Sequence, residues 1–367
     1  MAVDILTVTD PPLSRRFVVP DRIDELDGIR GFAAILVVFH HLSQSFPGTP
    51  ASSVLRLWLA VTHAGWIGVD VFFALSGFLI TRALLNTKGR PHYYKNFYIR
   101  RVLRLAAPYF LTLALVACFI PHSFAFLVLS FFYLANFAHP FGIDMVYGPL
   151  WSLAVEEHFY LVWPWLIRFL KRKTLFMLAL AICIATPLFR FVAQKYGFFD
   201  PYVSWFRFDG ILWGALLALL SGSPRVTRKQ VLTWSIAVGG LGGVAYVGGA
   251  FLGAMARNSV LGSSVVFGVV AMATTGVIGL AISASGLKAL VFLRNPVARF
   301  FGDISYWTYL FHGLMVNLAL RLTLGWKPGW ATYFAMTGIV FSACIMTGIA
   351  VRHWIELPAQ ALKKRFH

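Results

Sequence analysis

The chain of 367 residues is both apolar and basic: 59% of its residues are hydrophobic, its mean hydropathy is +0.73 and its net charge is +18. This composition excludes a soluble domain of the same length. The Lys and Arg residues stand in short clusters between apolar runs, which is typical of the cytoplasmic loops of membrane proteins and argues against nucleic-acid binding. The sequence therefore predicts an all-α, polytopic helical membrane protein.

The chain begins with a polar segment that contains Pro11-Pro12 and Arg15-Arg16 but no apolar core. This pattern predicts a cytoplasmic N-terminal tail over 1–23 and no signal peptide. A transmembrane region is predicted over 24–355 and a basic cytoplasmic tail over 356–367. Ten apolar segments are long enough to span a bilayer: 29–46, 66–86, 104–121, 149–170, 174–192, 206–222, 231–253, 260–282, 302–324 and 331–351.

One further apolar run, 124–138, is short for a span. If it does not cross, the basic clusters all fall on the side of the two termini, and the other side holds only isolated cations such as Arg190 and Arg207. If it crossed, Lys171-Arg172-Lys173 would lie on the opposite side. The charge pattern predicts a re-entrant or interfacial helix at 124–138 and two cytoplasmic termini.

The stretch Leu26–His41 begins with charges and places two histidines deep in an apolar run. On a helix, Arg30 and His41 lie within about 20° of one face, whereas His40 points about 80° away. Asp27 falls near the same face, and Arg30 and His41 are about 16 Å apart along the axis. Ionisable groups inside a membrane are functional candidates. The structural alternative is a hydrogen-bonded histidine with Arg30 reaching to the headgroups.

Other polar residues stand within or beside the predicted spans. Asp70 and Ser76 lie in the second span, among glycines that are typical of close helix packing. Arg101 and Arg104 share a helix face at the entrance of the third span, where they form either a topology anchor or a phosphate clamp.

Two adjacent glutamates, Glu156 and Glu157, stand near the start of the fourth predicted span. Because adjacent helix residues point about 100° apart, only Glu156 can share a face with Ser152 and Tyr160. Later spans contain further polar residues. Their presence is explained at least as well by a hydrogen-bond network between helices as by a direct role in catalysis. These positions are Arg207, Asp209, Ser305, Tyr309 and His312.

As a set, these motifs resemble the acyltransferase-3 family of integral membrane acyltransferases. The resemblance follows the chain in order over about 24–355, and His158 stands where the family more often has glutamine. It is carried by Leu26-Asp27-Gly28-Ile29-Arg30 to His41, Gly68 to Ile80, Arg101-x-x-Arg104 with Pro108-Tyr109, Leu150 to Tyr160, Arg207 to Gly210, and Ile304 to His312.

The resemblance implies transfer of an acyl group, usually acetyl from cytoplasmic acetyl-CoA, to a glycan hydroxyl at the bacterial inner membrane. Family acceptors include O-antigen, exopolysaccharide, peptidoglycan, macrolides and the lipo-chitooligosaccharide signals of rhizobia. Acetyl-CoA is then a substrate, the acceptor is a glycan or lipid-linked glycan, and membrane lipids are the surroundings. Neither a permanently bound cofactor nor a metal is expected, and the short C-terminal tail indicates a stand-alone enzyme without a fused extracytoplasmic domain.

The residues suit that chemistry. Histidine titrates near neutral pH, so His41 is expected to act as a base or to form an acyl-imidazole. Arg30, Arg101 and Arg104 are expected to bind the CoA phosphates, and Glu156 to orient His41 or a substrate hydroxyl. A supporting polar network is predicted from Asp27, Asp70, Ser76, Ser152, Arg207, Asp209, Ser305, Tyr309 and His312.

The main alternative is a transporter or flippase for an acylated or lipid-linked saccharide. The sequence shows no inverted repeat and no pair of broken spans in matching halves, which argues against that alternative. A membrane scaffold protein would not explain the shared face of Arg30 and His41. Detection of labelled acetyl covalently bound to a glycan would separate an enzyme from a transporter.

Overall fold

A computed structural model describes residues 17–20, 23–257, 259–284 and 287–363. Most of the predicted N-terminal tail and the last residues of the predicted C-terminal tail lie outside the described residues. Within the described ranges the chain forms helices and no β-strand, which confirms the all-α prediction. The helices are α1 (Asp24–Gln44), α2 (Ser53–His63), α3 (Ile67–Thr87), α4 (Tyr93–Phe119), α5 (Phe124–Phe131), α6 (Leu150–Phe169), α7 (Arg172–Lys195), α8 (Phe208–Ser221), α9 (Arg228–Phe251), α10 (Val260–Ser283), α11 (Pro296–Asp303), α12 (Ser305–Leu322), α13 (Trp330–Val351) and α14 (Leu357–Lys363).

Seven helical segments of the described chain are long and apolar enough to cross a membrane, by length and composition. They are α1, α2 with α3, α4, α7, α9, α10, and α13 with its continuation. The other three predicted spans are also helices. Of these, α8 has only 14 residues, while α6 and α12 carry the carboxylates, hydroxyls and imidazole discussed above. The chain is a multi-pass membrane protein.

The short apolar run at 124–138 does not form one continuous helix. Its helix α5 has 8 residues, about 12 Å in length, and ends at Phe131. Tyr133 then adopts a left-handed backbone conformation with φ 57°, and short 3-10 turns follow. A bilayer core is about 30 Å thick, so α5 alone is too short to cross it. That the segment is re-entrant or interfacial stays a prediction.

Three helices were not predicted from the sequence: α2, α11 and α14. Each has 11 residues or fewer and so falls below the length at which an apolar run indicates a span. Helix α2 is amphipathic, because its exposed apolar side chains recur at helical spacing. These side chains are Val54, Leu57, Trp58 and Val61. Helix α14 follows a π-helical turn after α13 and packs against α4.

The chain divides into two compact units, and each is described by itself below. The first unit comprises Met1–Leu26, Asp70–Gly89 and Phe159–Arg294, and the second comprises Asp27–Val69, Arg90–His158 and Asn295–His367. In the first unit, α3 and α8 approach so closely that a Cβ at Gly77 or Gly214 would collide with the facing backbone. In the second unit, a Cβ at Gly302 would collide with the carbonyl of Asp27, where α11 crosses α1.

Candidate functional site

The second unit brings His41 of α1 against His312 of α12. The Nε2 atom of His312 lies 3.1 Å from Nδ1 of His41, and the ring centroids are 4.6 Å apart. His312 is fully buried, whereas His41 is half-buried. The sequence analysis named both residues in separate roles; the structure pairs them and leaves His41 as the accessible member.

His40 has different neighbours from His41. Its Nδ1 atom lies 2.6 Å from the carbonyl oxygen of His63, the last residue of α2, and the side chain is only 6% exposed. The rings of His40 and His63 lie 4.9 Å apart, centroid to centroid. His40 therefore joins α1 to the end of α2, while His41 faces α12. The two rings lie on different faces of α1, which agrees with the helical geometry, but that geometry did not identify either neighbour.

A run of hydrogen bonds connects α6 to the histidine pair through α12. The hydroxyl of Tyr309 hydrogen-bonds Oγ of Ser152, and both side chains are buried. The carbonyl of Tyr309 lies 2.7 Å from Nδ1 of His312. Ser305 instead donates to the carbonyl of Gly302 at 2.8 Å. Tyr309 and His312, on the predicted polar face of α12, thus connect Ser152 of α6 to His41 of α1. The hydroxyl of Ser305 bonds the end of α11.

Charged side chains gather at the other end of α1. Nη1 of Arg30 lies 3.1 Å from Oδ1 of Asp27, and its side chain is 19% exposed. Arg104 repels Arg30 and Asp303 attracts it, so both lie close to it. Asp303 also pairs with Arg352 at 2.7 Å. Arg104 is exposed and has no hydrogen bond or ion pair to any part of the chain that the structure describes.

Arg101, the other predicted phosphate ligand, is half-buried on α4. Its guanidinium carbon lies 5.9 Å from the centroid of the Phe97 ring. Its charge also attracts Glu157, which the sequence analysis had set aside in favour of Glu156. Arg101 is therefore partly occupied by neighbours, whereas Arg104 is available to a ligand.

Two glutamates of α6, Glu156 and Glu157, interact electrostatically with Tyr306 of α12. Both Glu156 and Glu157 act electrostatically on the hydroxyl of Tyr306, which donates to the carbonyl of Leu105 at 3.0 Å. Tyr306 precedes His312 by six residues, about 9 Å along the helix axis. Glu156 is thus within electrostatic range of Tyr306, and the orienting role expected for it beside His41 stays a prediction.

The first unit holds a different polar cluster, made of two buried ion pairs. Arg190 of α7 pairs with Asp209 of α8, and Arg207 donates to Asp70 of α3 at 2.7 Å. Each of these side chains is at most 3% exposed. The Phe267 ring lies 3.8 Å from the guanidinium carbon of Arg207 and 5.3 Å from that of Arg190. The charges of the two pairs balance each other, and their side chains are closed to solvent.

One expectation about the first unit needs correction. Arg190 and Arg207 were counted as loop cations, but both are buried, because carboxylates on neighbouring helices neutralise them. Removing them from the loops makes the predicted charge asymmetry stronger. Ser76, another member of the predicted polar network, bonds the hydroxyl of Tyr160 at 2.5 Å.

A protein-family model described as an acyltransferase domain matches residues 23–349, which is most of the chain. The chain belongs to the acyltransferase-3 family. This finding confirms the resemblance inferred from the sequence motifs. The matched range includes His41, His312 and the predicted phosphate-binding arginines, and it ends before Arg352.

Two relatives within the acyltransferase-3 family show the extent of similarity. The peptidoglycan O-acetyltransferase OatA of Listeria monocytogenes is 35% identical over 169 residues, covering 41% of this chain and 25% of that protein. The O-acetyltransferase OatA of Staphylococcus aureus is 26% identical over 327 residues, covering 80% of this chain and 50% of that protein. The chain thus spans half or less of the length of these relatives. No solved structure matches it.

The sequence analysis of this acyltransferase-3 member did not predict the ion pairs of several charged residues. Arg190 stands inside an apolar run, so the rule that intramembrane ionisable residues are paired could have identified it. Arg352 and Asp303 lie 49 residues apart, and no local pattern joins them. Their pairing joins the end of α11 to the π-helical turn after α13, a contact between distant parts of the chain.

Proposed function

We propose that this protein is a membrane O-acetyltransferase that transfers an acetyl group from acetyl-CoA to a hydroxyl of a cell-envelope glycan or lipid-linked glycan. The supporting observation is the arrangement of polar side chains along α1. An accessible imidazole stands at His41, and the arginine end of the helix, at Arg30, lies about 16 Å away along the helix axis. The names of the OatA relatives support O-acetylation, and that of the Listeria protein supports peptidoglycan as one candidate acceptor.

Arg30, Arg101 and Arg104 bind the phosphates of the donor in this proposal. A guanidinium group offers forked donors that match phosphate oxygens. Arg104 carries the largest expected share, because its charge is exposed and has no counter-ion among the described residues. The pantetheine arm then follows α1 and presents the thioester to His41.

His41 acts as the general base. Its imidazole takes the proton of the acceptor hydroxyl while the hydroxyl oxygen bonds to the thioester carbonyl carbon. The carbon–sulfur bond then breaks, and the leaving CoA thiolate takes the proton back from His41. The products are an acetyl ester and free CoA, with no net gain or loss of protons.

The proposed location is the bacterial inner membrane, with both termini and the arginine end of α1 in the cytoplasm. The basic clusters support this orientation, since they collect on one side when 124–138 does not cross. Reporter fusions after Lys173 and after Lys229 should both report a cytoplasmic position. A periplasmic signal after Lys173 would contradict the orientation.

The direct test is a transfer assay with the protein reconstituted in vesicles. Acetyl-CoA labelled in its acetyl group is supplied with peptidoglycan fragments, an exopolysaccharide or a lipid-linked saccharide. The expected result is label on the glycan that mild alkali releases, as it does from an ester. The matched control is His41→Ala, which should transfer none. Label that crosses the vesicle membrane without joining any glycan would indicate a transporter instead.

A further inference from the structure

The hydrogen-bond partners of the histidine pair determine where the ring protons reside. Nδ1 of His312 lies 2.7 Å from the carbonyl oxygen of Tyr309 and 3.2 Å from that of Thr308. A carbonyl oxygen only accepts, so this Nδ1 carries a hydrogen. Nδ1 of His41 lies 2.9 Å from the carbonyl oxygen of Val37, and it carries a hydrogen for the same reason.

The contact between the two rings then has one consistent arrangement. Nδ1 of His41 faces Nε2 of His312 at 3.1 Å. If that Nε2 also carried a hydrogen, two N–H groups would point at each other. His312 is therefore neutral, and its Nε2 shares the single Nδ1–H of His41 with the Val37 carbonyl in a three-centre hydrogen bond. Nε2 of His41 is the ring nitrogen that keeps a free lone pair.

We propose that His312 is a positioning residue that, together with the Val37 carbonyl, holds His41 in the Nδ1–H tautomer and so presents the Nε2 lone pair of His41 to the substrate. The inference rests on the proposed function, in which His41 removes the hydroxyl proton. The same constraint applies to each transfer, because Nε2 of His41 both receives the proton from the hydroxyl and returns it to the thiolate.

The pair also favours the charged form of His41 during the reaction. When Nε2 of His41 takes the proton, the Nδ1–H bond to His312 becomes charge-assisted and strengthens. In the Ser-His-Asp triad an aspartate has this role. A neutral imidazole performs it here without placing an anion, which is costly to desolvate, at a fully buried position.

Hydrogen bonds to α6 and its leading loop hold α12 in the required rotation. The hydroxyl of Tyr309 bonds Ser152, and the hydroxyl of Tyr147 donates to the carbonyl of Leu310 at 2.5 Å. These bonds flank the turn that precedes His312. The ring of His312 is thus oriented by backbone acceptors on one side and faces His41 with its other nitrogen.

The test compares His312→Gln with His312→Leu in the full chain reconstituted in vesicles. The side-chain oxygen of Gln reaches the position of Nε2 and keeps an acceptor, whereas Leu has none. Nitrogen-15 spectra of histidine-labelled protein report the tautomer, and the His41 signal is identified by its loss in His41→Ala. The unaltered protein should show Nδ1–H at His41. Because the Val37 carbonyl still accepts from Nδ1–H in His312→Leu, this variant should raise the fraction of Nε2–H at His41 without making it complete. It should lower kcat about tenfold to hundredfold, with the donor KM unchanged, and Gln should restore most of kcat.

Two results would overturn the inference: Nε2–H at His41 in the unaltered protein, or an unchanged tautomer and a kcat within twofold of normal in His312→Leu. If the Leu variant does not fold, the spectrum of the unaltered protein together with the Gln variant decides the question. Full transfer by His41→Ala would instead refute the proposed function, and the tautomer measurement would still stand, because it needs no turnover.

Discussion

Both units bury polar side chains among apolar helices, but they satisfy them differently. In the first unit, Arg190 and Arg207 each face a carboxylate, and none of the four side chains is more than 3% exposed. In the second unit, His41 is half-buried and has a ring nitrogen whose lone pair no described contact uses. Neutralised charges that are closed to solvent cannot reach a substrate, whereas an accessible ring nitrogen can react. The difference separates two clusters that the sequence analysis treated as one network.

The largest expected effect is on transfer activity when His41 is changed to Ala. Loss of a general base typically costs 10²–10⁴-fold, and the accessible position of His41 predicts little change in the thermal unfolding temperature. Activity in vesicles and unfolding in detergent are measured side by side. Near-normal transfer by His41→Ala would place the base elsewhere, with His312 the next candidate.

The matched control for that variant is His40→Phe, one residue away. It replaces a buried ring by another ring and removes the hydrogen bond to the His63 carbonyl, which costs about 1 kcal/mol. Transfer should stay within about tenfold of normal. If His40→Phe were inactive and His41→Ala active, the assignment of the two faces of α1 would be reversed.

The second prediction concerns stability in the first unit. Asp209→Asn leaves Arg190 without its charge partner and should destabilise the protein by about 3–5 kcal/mol. Thermal unfolding in detergent measures the loss. The double variant Arg190→Met with Asp209→Leu removes both charges and should unfold close to the normal temperature. An Asp209→Asn protein with normal stability but no transfer would show that the ion pair belongs to the chemistry.

The sequence distinguishes the two polar clusters only in part, because contacts between helices that are distant in sequence decide which polar residues meet. Each predicted span corresponds to a helix, because the length of an apolar run is a local property. His41 and His312 lie 271 residues apart, and Ser152 and Tyr309 lie 157 apart. Helical periodicity identifies which residues share a face, but it contains no information about which helix that face meets. The identity of the carboxylate that neutralises Arg190 could not be predicted for the same reason.

The third prediction tests the arginine end of the second unit. Replacing Arg101 and Arg104 together by Gln should raise the apparent KM for acetyl-CoA tenfold or more, because each charge-assisted contact contributes about 1.5–3 kcal/mol. Arg104→Gln alone should account for most of the effect, since Glu157 already attracts Arg101. Donor titrations of the three variants give the comparison. An unchanged KM in a well-inserted double variant would make the two arginines a topology anchor.

The smallest expected effect distinguishes two serines that the sequence placed in one network. Ser152→Ala removes the hydroxyl partner of Tyr309 and should lower kcat about two- to tenfold, because a neutral hydrogen bond contributes about 0.5–1.5 kcal/mol. Ser305→Ala is the matched control: it lies on the same side of α12 but bonds only the Gly302 carbonyl in the described contacts, so kcat should change less than about twofold. Steady-state kinetics at saturating acetyl-CoA measure both. If kcat fell equally in the two variants, the hydrogen bond between Ser152 and Tyr309 would have no specific effect on the histidine pair. Loss of any hydroxyl partner on α12 would then lower kcat to the same degree.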